Sequence, residues 1–118
     1  MIRIRGVYTE PALSDGVRIL VDHVWPRGLR KAEARIGEWR WDLAPTAALR
    51  KWFRHDPGKW DEFQRRYRNE LRARGKLEEL QTLADRAQRE TVTLLFGAGD
   101  EERNNAVVLK ELLEGLLR

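Results

Sequence analysis

Two runs of this chain are apolar without alternation: Val17–Trp25 (Val-Arg-Ile-Leu-Val-Asp-His-Val-Trp) and Thr91–Phe96 (Thr-Val-Thr-Leu-Leu-Phe). A strand with one wet face alternates, whereas a strand covered on both faces does not. Each run therefore suits a strand packed above and below, as in a sheet flanked by helices. Ile2 and Ile4, alternating with Arg3 and Arg5, read as a further strand with one wet face. Between the second and third runs the period becomes helical. Trp60, Phe63, Tyr67 and Leu71 form one stripe at spacings of three and four. Asp56 before Pro57 is a start signal, an acceptor followed by a residue with no N–H to leave unpaired. Gly75 stands where that helix would end in a left-handed turn. Thr46 can cap a shorter helix burying Leu49, Trp52 and Phe53. Leu77, Leu80, Ala84 and Ala87 mark another, and a last helix is expected over about 102–117, buried through Leu109, Leu112 and Leu116. The expectation is a small, mainly parallel α/β sheet of three or more strands flanked by helices. A helical insertion separates its second and third strands, and residues 1–118 form a single domain.

Composition narrows the chemistry. With no cysteine among 118 residues, disulfides, thiolate nucleophiles and thiolate metal sites are excluded. Two histidines, His23 and His55, are too few for a transition-metal site without several carboxylates, so neither metal nor cofactor is expected. No stretch approaches the ~20 apolar residues that span a bilayer, and Met1–Gly6 resembles no secretory signal, so the expected setting is cytoplasmic. The net charge of +4 is unevenly spread: residues 50–89 hold twelve Lys/Arg against seven Asp/Glu. Such a surface suits nucleic acid or anionic metabolites. However, Asp61, Glu62 and Glu70 each precede an arginine by four residues, which neutralises much of that face.

The densest polar feature is the exit of the second strand, where Asp22, His23 and Arg27 lie within six residues. Ligands of open α/β sheets bind beyond the carboxyl ends of the strands. Arg27 offers a fork for carboxylate or phosphate, and Asp22 an orienting partner or general base. The bland alternative is that the two pair with each other. The second feature is Phe96-Gly-Ala-Gly-Asp-Glu-Glu-Arg-Asn-Asn-Ala106, a strand, a small-residue loop and a helix start. It lacks a dinucleotide fingerprint and a P-loop lysine, and Asp100, Glu101 and Glu102 read as first-turn acids of the helix. Trp39 and Trp41 sit in a segment with neither helical nor strand period, and His55 reads as an ordinary helix-end residue.

Three phrases, VRILVDHVWPRGL, LAPTAALRKWFRHDPGKWDEFQRRYRNEL and VTLLFGAGDEERNNAVVLKELL, resemble the YeaO-like branch of a domain-of-unknown-function family, DUF488, in order and over nearly the whole chain. The resemblance implies a small α/β fold without an established activity. It nominates Asp22, Pro26, Arg27 and Gly28 in the first motif, and Asp100 and Asn104 in the last. It also marks departures. His23 stands where the family usually has Arg, Gly99 where it has Lys, and Asn105 where it has His. The Cys-His-Arg phrase of the wider family falls near Asn104, Asn105 and Ala106, so chemistry needing that cysteine or histidine has no means here. The leading expectation is a small anionic ligand bound between the ends of strands 17–25 and 91–96. Arg27 would hold the anion, Asp22 would orient it or take a proton, and His23, Gly28, Asp100, Asn104 and Asn105 would complete the site. The alternatives are a nucleic-acid module using residues 50–89 and a protein-interaction domain whose motifs are structural.

Overall fold

The computed structural model describes all of residues 1–118. It contains four strands, β1 (Ile2–Gly6), β2 (Val17–Leu20), β3 (Glu38–Trp39) and β4 (Val92–Phe96). They form one all-parallel sheet in the order β1-β4-β2-β3. β4 is buried at all five positions because it lies between β1 and β2 and is covered on both faces. The helices are α1 (Lys31–Ala34), α2 (Ala47–Phe53), α3 (Trp60–Ala73), α4 (Leu77–Arg89) and α5 (Asn105–Leu116).

The cover is unequal. Ile19, Val21, Leu94 and Phe96 point into the main core, where α2 to α5 deliver Phe53, Phe63, Tyr67, Leu80 and Leu109. On the other face Leu20 and Leu95 join a smaller cluster with Val7, Ala34 and Ile36, edged by Trp25 and Leu29, beneath α1 and loops. Toward the strands' N-terminal ends that face is polar. The Asp15 carboxylate accepts from Arg5 Nη1 at 2.9 Å, Arg18 Nη1 at 2.6 Å and the Ala12 N–H at 3.0 Å. Burial pushes this carboxyl up, but the Ala12 N–H and the two guanidinium groups outweigh it and hold Asp15 below its ordinary value.

The capping signals act as their chemistry dictates. Thr46 accepts from the Leu49 N–H, and Asp56 from the Gly58 N–H at the start of a 3₁₀ turn that runs into α3. Gly75, just past α3, has φ +70°. Three expectations change. The second strand leaves its ladder at Val21, whose N–H reaches Leu95 O at 3.2 Å, rather than continuing to Trp25. A fourth strand, β3, forms in the segment without period, too short to show one. The last helix begins at Asn105, because Asp100 spends its carboxylate on the Glu102 and Arg103 N–H groups and Asn104 is the cap.

Candidate functional site

A cleft of about 290 Å³ opens at the carboxyl ends of β2 and β4. Its polar lining comes from four places in the chain: Asp22 and His23 after β2, Arg50 on α2 with His55 just beyond it, Gly97 after β4, and Asn104 and Asn105 at the start of α5. Phe53 and Phe63, stacked with ring centres 4.2 Å apart, supply apolar wall together with Pro45 and Ala98.

Asp22 is anchored through both its side chain and its main chain. Its Oδ2 accepts the Gly97 N–H at 2.7 Å, and its main-chain carbonyl accepts Trp39 Nε1–H at 2.8 Å. Asn105 Nδ2 donates to the preceding carbonyl, Val21 O, at 2.8 Å. A Cβ at Gly97 would stand 3.0 Å from Asp22 Oδ2, so a larger residue there would push the carboxylate by a few tenths of an ångström. Burial raises the Asp22 carboxyl above its ordinary value, and the Gly97 N–H, the Asn105 amide and the charges of Arg50 and His55 offset this only in part. Tyr67 lies beneath, its hydroxyl donating to Leu43 O, and full burial pushes that phenol well above its ordinary range.

Arg50 donates through Nη1 to Pro45 O at 2.7 Å and forms no ion pair. A guanidinium carries five N–H donors, so this one keeps most of its capacity. His55 is exposed and left-handed at φ 56°, following Arg54 at φ 47°. These two residues turn the chain out of α2 and set the imidazole at the cleft edge.

Of the residues singled out from sequence, the fold brings Asp22, His23, Asn104 and Asn105 together around the cleft. Asn104 is committed to structure there, its Oδ1 accepting the Val107 N–H and its Nδ2 donating to Asp100 O. Arg27, Gly28 and Asp100 lie outside the lining. The Arg27 side chain is exposed without a partner, so it does not pair with Asp22, and its main-chain carbonyl accepts from the Tyr8 hydroxyl at 3.1 Å. Gly28 occupies a turn at φ +77°. Arg50 and His55 are the residues that sequence reasoning missed. A signal existed for Arg50: it precedes Phe53 by three residues, so a cation shares the helical face of a core aromatic.

A family model described as the inactive DUF488-N3 subclade matches residues 1–118. The chain is similar to the uncharacterised protein Rv3073c of Mycobacterium tuberculosis strain H37Rv, 40% identical over 114 residues, 97% of this chain and 94% of that one. It is 36% identical over 115 residues to the uncharacterised protein YeaO of Escherichia coli K12, which covers 98% of each. No solved structure matches. With agreement across the full length in the family model and in both relatives, the chain belongs to the DUF488 family, in its inactive N3 subclade.

Proposed function

We propose that this domain binds a small ligand in the β2–β4 cleft by an anionic group held on Arg50. The observation that carries this reading is the state of Arg50: a guanidinium in a walled cleft with one hydrogen bond to a carbonyl and no carboxylate against it. An Arg fork with free donors recognises carboxylate or phosphate oxygens in pairs. The start of α5 opens onto the same space and adds the positive end of its dipole. The lack of any cysteine, together with the family's description as an inactive subclade, supports binding rather than thiol chemistry.

The basic surface offers less to nucleic acid than its composition suggests. Arg65 and Arg66 pair with Glu62, Arg68 with Glu111, and Arg86 with Glu38 and Glu90. Arg74 donates to the carbonyls of Ala44 and Asp42.

Thermal unfolding of the chain with acetate and isocaproate tests the anion reading. The carboxylates should raise the melting temperature of the parent chain and of Arg27→Ala, and leave Arg50→Met unmoved. An equal shift in Arg50→Met would overturn the assignment to Arg50.

A further inference from the structure

We propose that the ligand is a small zwitterion of the free α-amino acid class, its carboxylate on Arg50, its ammonium on Asp22 and its apolar body against Phe53, Phe63 and Ala98. The inference rests on the reading that Arg50 holds the anionic group and adds a second pole to it.

Arg50 and Asp22 line one cleft and feel each other's charge, yet they form no ion pair. Each is held by other groups, Arg50 by Pro45 O and Asp22 by the Gly97 N–H. Opposite charges kept apart inside a half-buried space leave each one undercompensated. The Asp22 carboxylate accepts the Gly97 N–H on Oδ2 and lies beside the Asn105 amide, and because its two oxygens can take about four hydrogen bonds it keeps acceptor capacity for an ammonium. A plain anion on Arg50 would add negative charge beside Asp22, and a plain amine would add positive charge beside Arg50. A ligand carrying both signs meets a partner at each end, so the cleft discriminates by repulsion as well as attraction. Asn105 Oδ1, whose amide nitrogen is tied to Val21 O, gives a further acceptor for ammonium hydrogens. A cleft of about 290 Å³ is at the small end for ligand sites and fits a molecule of on the order of ten non-hydrogen atoms. The apolar part of its lining suits an aliphatic or aromatic side chain.

The test is calorimetric titration of the whole chain with the standard free L-amino acids, with isocaproate (leucine without its amine) and with isoamylamine (leucine without its carboxylate). At least one apolar amino acid should bind about tenfold or more tightly than its des-amino acid and its amine. Asp22→Asn, which keeps an oxygen to accept the Gly97 N–H, should abolish that preference without weakening isocaproate. Arg50→Met should weaken both carboxylates. If isocaproate binds as tightly as every amino acid, the zwitterion inference falls and the Arg50 reading stands. If isoamylamine binds as tightly as the amino acids, the Arg50 reading falls and the inference with it. If no carboxylate or amino acid binds, both are overturned.

Discussion

Asp15 and Asp22 are aspartates near the two ends of the same strand, and their surroundings push them in opposite directions. Asp15 is buried among Arg5, Arg18 and the Ala12 N–H, which hold its carboxyl below the ordinary value of 3.8. Its ionised form therefore stabilises the fold above the unfolded value, and that stability is lost as pH falls through the folded one. Asp15→Asn should cost about 3 kcal/mol, because Arg18 stays buried without its counter-charge. Asp22 lies on the other side of 3.8 because burial raises it. The folded chain holds that proton more tightly than the unfolded chain, so the contribution is full below 3.8 and is lost as pH rises through the folded value. Asp22→Asn should thus melt above the parent chain at pH 7, with the gap closing as pH is lowered below 3.8 in paired melting curves. A stabilising substitution at a cleft residue would mark Asp22 as kept for something other than folding.

At the scale of elements, the β2 entry and the α3 stripe carry sharp expectations. Gly16 precedes β2 at φ +63°, and a Cβ there would stand 2.1 Å from Thr91 O. Gly16→Ala should cost about 3 kcal/mol or more by chemical denaturation, since neither backbone can yield. Within α3 the stripe read from sequence is unequally buried: Phe63, Tyr67 and Leu71 are in the core, whereas Trp60 is half-buried at its edge. Phe63→Ala should therefore cost roughly 3–5 kcal/mol and Trp60→Ala about 2 kcal/mol. The period announced the stripe but not its end, because where a helix leaves the core depends on what lies across from it. The acids at 100–102 show the same limit. They have the composition of a helix first turn, yet Asp100 closes a turn of its own and the helix starts at its next good cap, Asn104.

Across the whole molecule, the four larger helices crowd one face of the sheet and the cleft opens where their ends meet the ends of β2 and β4. Charge is neutralised locally, so replacing Arg65 and Arg68 together by Ala should change stability by about 1 kcal/mol or less. The double variant should elute from a polyanion column at nearly the parent's salt concentration; a much earlier elution would revive the nucleic-acid reading. The α/β class with a mainly parallel sheet, both-face burial of the central run, and the turn and cap signals at Thr46, Asp56 and Gly75 are legible in the sequence alone. Each depends on the period of apolar residues or on a local bond between neighbours, and both are written in consecutive positions. The membership of the cleft was decided only by the tertiary structure. Asp22, Arg50, Gly97 and Asn105 come from distant parts of the chain, and hydrophobic pattern dictates which face of a helix turns inward but not whose end it will meet. Arg27 looked better placed than Arg50 because it is near Asp22 in sequence. In the folded chain β2 has already left its ladder by Val21, the segment beyond carries Arg27 out to solvent, and packing of α2 through Phe53 brings Arg50 in.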